Sequence, residues 1–111
     1  MLIASRELTL RDGGNDIKIP IRIFAPEFES PGAWSCRYEI DWPDENRVMT
    51  VWGFDGMQAL LHALQIIGAE IYSSSYHEAG QLFFDKPGSG YGFPVMSNLR
   101  DFLQGDDKKY L

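Results

Sequence analysis

The stretch Phe54-Asp-Gly-Met-Gln-Ala-Leu-Leu-His-Ala-Leu-Gln-Ile-Ile-Gly-Ala-Glu-Ile-Tyr72 decides the fold. Met57, Leu60, Leu61, Leu64, Ile67, Gly68 and Ile71 recur at i, i+3, i+4 and i+7, so they share one face of an α-helix. Asp55 is placed as its N-cap, and Gln58 three residues later can complete a capping box. The spacing predicts a helix over Asp55–Tyr72 that lays the Met57–Ile71 stripe on a core. Gly68, in the middle of that stripe, predicts close approach to a sheet. On the outer side Ile66 stands opposite the stripe, with Ala59, His62 and Ala69 near it.

Upstream of the helix the period is two. Leu2–Leu10 reads as a strand, and Arg11–Asp16 is rich in residues that tolerate a reversal. Ile17, Ile19, Ile21, Ile23 and Ala25 then alternate with Asp16, Lys18, Pro20, Arg22 and Phe24. Pro20 cannot donate to a ladder, which predicts an edge strand or a bulge. Pro26–Gly32 reads as a loop. In Ala33–Trp42, Trp34, Cys36, Tyr38, Ile40 and Trp42 face one side, and Ser35, Arg37, Glu39 and Asp41 the other. Pro43–Asn46 turns the chain and Arg47–Gly53 returns it. Short turns between successive strands make neighbours antiparallel, because parallel neighbours need long crossovers.

Downstream, Gln81–Asp85 reads as a fifth strand and Pro87–Pro94 as a glycine-rich loop. Ser97 is placed to cap a last short helix over Asn98–Gln104, ending at Gly105. The expected fold is therefore α+β: an antiparallel meander of four to five strands, one long amphipathic helix on one face, and a short C-terminal helix. A chain of 111 residues, 44% hydrophobic and 23% charged, fits a single globular domain over residues 1–111.

Charge and composition exclude several roles. Sixteen acidic against ten basic residues give a net charge of −6, which opposes nucleic-acid binding. No apolar run is long enough to span a bilayer, and charge appears too early at the N-terminus for a secretory signal. The one cysteine, Cys36, allows no intrachain disulfide, and the expected compartment is the cytoplasm. Gly88-Ser89-Gly90-Tyr91-Gly92 lacks the spacing and the following Lys-Ser or Lys-Thr of a phosphate cradle. His62 and His77 lie in different elements and make no metal-ligand pattern. No catalytic residue, metal site or cofactor is called for.

Two sets of residues remain. Arg37, Glu39 and Asp41 on the charged sheet face, with His62 and Ile66 on the helix, are candidate contacts for a second copy or a protein partner. Tyr72, Tyr76, His77 and Tyr91 converge in sequence on the end of the helix and the glycine loop, and are a candidate pocket lining. The leading expectation is a non-catalytic interaction or accessory protein. The alternatives are a small-molecule binder or modest enzyme with that pocket, and an immunity-type inhibitor of a basic protein, which the acidic charge motivates.

At Ile19-Pro-Ile-Arg-Ile-Phe-Ala-Pro-Glu27, Trp34-Ser-Cys-Arg-Tyr-Glu-Ile-Asp-Trp-Pro43 and Gly53-Phe-Asp-Gly-Met-Gln-Ala-Leu60, the chain resembles short bacterial proteins grouped as a domain of unknown function. The resemblance implies a bacterial single-domain origin and carries no catalytic residues.

Overall fold

The computed structural model describes residues 1–111. Its strands are β1 (Leu2–Asp12), β2 (Asn15–Phe24), β3 (Glu27–Ser30), β4 (Ala33–Asp41), β5 (Asn46–Gly53) and β6 (Leu82–Phe83). Its helices are α1 (Gly56–Ser73), α2 (Ser75–Glu78) and α3 (Gly105–Tyr110), with a 3₁₀ helix at Ser97–Phe102. The strands make one six-stranded sheet in the order β3-β4-β2-β1-β6, with β5 also on β4, and β1 with β6, β2 with β4, β3 with β4 and β4 with β5 all pair antiparallel. The fold is α+β.

By internal contact the chain divides into two compact units, residues 1–6 with 20–64 and residues 7–19 with 65–111. In the first, β4 is the central strand. It pairs with β5 over eight consecutive positions, from Trp34↔Gly53 to Asp41↔Asn46. On its other edge it takes two strands end to end: β2 at Ile40, Glu39 and Tyr38, and β3 near Ala33–Ser35. In β4, Cys36, Tyr38 and Ile40 are fully buried and Arg37 is exposed, as the sequence predicts, but Ser35, expected on the charged face, is buried and Trp34 is only half-buried.

Two strand expectations are corrected. Glu27–Ser30, read as loop, is a strand. All four of its residues are exposed, so no buried face stamps an alternation on it. Pro20 does not mark an edge either. β2 lies between β4 and β1, and its pairing with β4 begins at Ile21, one residue after the proline.

α1 starts as predicted. The Gln58 amide donates to Asp55 Oδ1 at 2.8 Å. The Gln58 side-chain oxygen accepts from the Phe54 amide at 2.6 Å, one residue ahead of the usual capping-box position. The buried stripe, however, is Ala59, Ala63, Ile67 and Ile71, an i, i+4 row rotated from the expected one. Met57 and Leu61 are exposed, and Ala59, expected outside, is completely buried.

In the second unit β1 pairs with β6 through Thr9↔Phe83 and Leu10↔Leu82. A Cβ on Gly68 would stand 2.2 Å from the Pro94 carbonyl oxygen and 3.1 Å from Val95 Cγ1. The close approach predicted for Gly68 is therefore to the Pro94–Val95 segment rather than to a sheet. The C-terminal region is also rearranged. Ser97 begins a 3₁₀ helix whose N-cap, Met96, makes no side-chain cap bond, and Gly105 opens α3 instead of ending a helix.

Candidate functional site

The second unit builds its polar cluster on Asp107. This aspartate is buried, in the first turn of α3. Its Oδ2 accepts from the Tyr72 hydroxyl at 2.6 Å and the Tyr91 amide at 2.8 Å, and its Oδ1 accepts from the Gly92 amide at 2.7 Å. The Tyr72 oxygen in turn accepts from the Gln104 amide at 3.2 Å. A Cβ on Gly90 would sit 2.5 Å from Asp107 Cγ, so the glycine loop needs its bare backbone there. The Tyr91 hydroxyl stands between His77 Nδ1 at 2.5 Å and the Leu82 carbonyl oxygen at 3.2 Å. Tyr72, His77 and Tyr91 meet edge to face, with ring centroids 4.9–5.5 Å apart.

Burial governs the protonation of this cluster. It pushes the Tyr91 hydroxyl up to about 12, with the Asp107 charge adding to the shift. It raises Tyr72 as well, helped by its bond to Asp107. His77 is pushed below its ordinary value by burial, which favours the neutral ring. Beside it lies a recess of about 490 Å³ lined by Tyr72, His77, Glu78, Val95, Leu99 and Phe102, among others. Of the four predicted pocket residues, Tyr72, His77 and Tyr91 come together, and Tyr72 and His77 line the recess. Tyr76 lies in α2, where its carbonyl accepts from the Gln81 amide. Asp107, the residue that ties the cluster together, gives no local signal in the sequence.

The charged face of the first unit is a bonded ladder. Arg22 Nη2 stands 2.7 Å from Asp41 Oδ2 and 3.2 Å from Glu39 Oε1, and these partners, Asp41 foremost, raise the guanidinium's pKa. Arg37 lies over the Phe24 ring at 4.0 Å, with Glu39 at the 4.0 Å limit of an ion pair. A smaller recess of about 330 Å³ on this side is lined by Glu27, Glu29, Arg37 and Trp52, among others. The Ser35 hydroxyl donates to Glu29 at 2.9 Å. Glu39 and Asp41 are thus held by Arg22, which suits a structural ladder better than paired acid–base carboxylates.

The same unit exposes large apolar side chains where β5 runs into α1: Trp52 at 54%, Phe54 at 72%, Met57 at 83% and Leu61 at 48% of their surface. Close to the start of α1, Trp34 ring carbons lie 3.4–3.5 Å from the site a Gly56 Cβ would occupy, and Trp34 packs edge to face on the exposed Phe28 ring at 5.6 Å. His62 is half-buried, with Nδ1 3.0 Å from the Trp52 carbonyl oxygen. Ile66, expected outside, is half-buried. The outer patch of α1 expected at Ile66 lies elsewhere: the strongly exposed apolar residues are Met57 and Leu61, whose spacing predicts a place in the core.

Cys36 is buried, its thiol donates to the Phe24 carbonyl at 3.3 Å, and burial raises its pKa, as befits an inert core thiol. No three histidine, cysteine, aspartate or glutamate side chains stand close enough to hold a metal ion. No helix is long and apolar enough to cross a membrane.

Fold and site together define a small α+β protein with an open antiparallel sheet, a long helix and a C-terminal segment tied down by a buried carboxylate. Residues 4–95 match the model of DUF6968, a domain of unknown function, and the chain belongs to that family. No curated protein and no solved structure matches it. Trp52, Phe54, Met57 and Leu61 lie inside the matched residues. Leu99, Phe102 and Gln104, which wall one side of the larger recess, lie beyond them.

Proposed function

We propose that this chain is a non-catalytic interaction protein whose contact surface is formed by β5 and the first turns of α1. One observation carries the reading: Trp52, Phe54, Met57 and Leu61 are exposed within ten residues of each other, although the helix has an apolar stripe of its own to bury. Scattered surface leucines need no explanation, but a run of tryptophan, phenylalanine and methionine around one corner is the composition of a binding patch. Within the cluster, and separately within the ladder, the polar groups are engaged by their own neighbours, so neither offers an obvious nucleophile or free base. A photo-crosslinking residue at Met57, in the protein expressed in its native host, should give discrete adducts. The same residue at the exposed Lys86 of the second unit should give none. Absence of adducts at position 57, or equal labelling at both positions, would contradict the proposal.

A second reading is carried by the recess at His77. Its volume falls in the range of small-ligand sites, and its lining mixes apolar walls with a neutral imidazole and one carboxylate, Glu78. Such a site suits an uncharged or cationic aromatic molecule over an anion. An NMR fragment screen should then move the His77 ring signals, and His77→Ala should abolish that binding. If no fragment perturbs them, this reading falls.

A further inference from the structure

Strand β5 pairs along its whole length with β4 and with no other strand of the sheet. Its eight register partners run without a bulge, it contains no proline, and its only charge is Arg47. Edge strands are ordinarily protected by proline, bulges or inward lysine, because an unguarded edge is a template for another strand. β5 has no proline, bulge or lysine, although its one charge, Arg47, lies on the inner face with Val51, and two of its outward residues, Val48 and Trp52, are more than half exposed.

Resting on the interaction reading above, we infer that β5 pairs with β5 of a second copy of this chain, antiparallel about a two-fold axis at Thr50. The register follows from parity. Val48, Thr50 and Trp52 share the exposed face, while Val51, one residue out of phase, is buried. In an antiparallel pair opposite residues lie on the same face, so the two opposed numbers must add to an even sum. Centring on Thr50 sets Val48 against Trp52 of the second copy, Thr50 against Thr50, and Trp52 against Val48. Aromatic against β-branched and threonine against threonine are the favourable cross-strand combinations. The other face sets Met49 against Val51, and Arg47 meets Gly53, so no like charges are opposed. Shifting the centre by one residue either way leaves Val48 and Trp52 unmatched.

The Trp52 carbonyl already accepts from, or faces, His62 Nδ1 at 3.0 Å. One strand pair buries less than the roughly 1,200–2,000 Å² of a standard stable interface, and two copies of charge −6 repel, so the dimer is weak and favoured by salt. Its dissociation constant should be on the order of 100 µM.

The test uses purified full-length chain. Sedimentation up to about 1 mM should show a monomer–dimer equilibrium of that strength. Thr50→Cys places two thiols across the axis, with Cα atoms about 4.5–5.5 Å apart, inside the span of a disulfide. Mild oxidation should convert it to a covalent dimer, while Val48→Cys, four positions out of register with its own copy, should react at least tenfold more slowly. The native Cys36 is fully buried and does not interfere. Thr50→Lys, which sets two ammonium groups face to face, should weaken association tenfold or more without changing the far-UV spectrum. A wild-type monomer across the concentration range, or Thr50→Cys reacting no faster than Val48→Cys, would overturn the inference. Either result would leave the Met57 adducts as the separate test of the interaction reading.

Discussion

Asp107→Ala is the substitution whose cost the structure fixes best. The side chain is buried and accepts three hydrogen bonds of 2.6–2.8 Å, two from backbone amides and one from the Tyr72 hydroxyl. Truncation leaves those three donors without their acceptor, and a buried unsatisfied donor costs about 1–3 kcal/mol. Part of that is returned because a carboxylate no longer has to be desolvated. The net loss should be about 3 kcal/mol, a large share of a typical stability of roughly 5–15 kcal/mol. Asp107→Asn keeps one acceptor oxygen but turns an amide NH2 toward the donors, and should lose about 2 kcal/mol. Urea unfolding followed by far-UV circular dichroism measures both. Trp34, Trp42 and Trp52 all lie in the first unit and Asp107 in the second, so tryptophan fluorescence adds a second reading. If the chain melts as the single domain expected from its length, the two probes shift together. An Asp107→Ala midpoint equivalent to less than about 0.5 kcal/mol would refute the role given to this carboxylate.

Three further substitutions have defined outcomes. Gly68→Ala gains about 1 kcal/mol of helix propensity but drives a methyl to 2.2 Å from the Pro94 oxygen, so a net loss of about 1–2 kcal/mol is expected in the same urea assay. Asp55→Ala removes the cap of the Gln58 amide and should cost about 1 kcal/mol, with Asp55→Ser recovering most of it. His77 titrates lower in the folded chain than its ordinary 6.5, so above that value neither state is protonated and the residue adds no pH dependence. Below it the unfolded chain binds the proton first, and stability falls as pH drops until the folded histidine also titrates. Urea midpoints of wild type and His77→Gln should therefore converge in slope above about pH 7 and diverge below about pH 6, with the wild type losing more.

Much of the fold was legible in the sequence wherever one face of an element is buried. β4 and β2 show their alternation plainly, and the cap at Asp55 and Gln58 is written in residue types that only a helix start requires. The misses have separate causes. β3 buries nothing, so Glu27–Ser30 carries no pattern to read. α1 is apolar over a wider arc than it buries, and periodicity alone cannot say which part of that arc meets the core. The row that meets it is Ala59, Ala63, Ile67 and Ile71, and at its start Gly53 lies so close that a Cβ there would run into the Ala59 backbone. Pro20 was read by a rule for edges, whereas β2 is interior and takes up its β4 register just past the ring. In the polar cluster, Tyr72, His77 and Tyr91 could be suspected from polar aromatic residues near a glycine loop. Asp107 could not, since an aspartate in an acidic tail looks like any solvated charge until its three donors are seen.

The central claim, that the corner between β5 and α1 is a contact surface, is tested most directly by the native size of the chain. Size-exclusion chromatography of a gently lysed native-host extract, too dilute for the weak β5 pairing to persist, should find the wild-type protein bound to a partner at this corner and well above its 12.6 kDa monomer mass. The double variant Met57→Lys/Leu61→Lys, which charges the exposed side of α1 without touching its buried row, should elute as the monomer. A wild-type protein that elutes at monomer size, or a variant that keeps the larger size, would contradict the account.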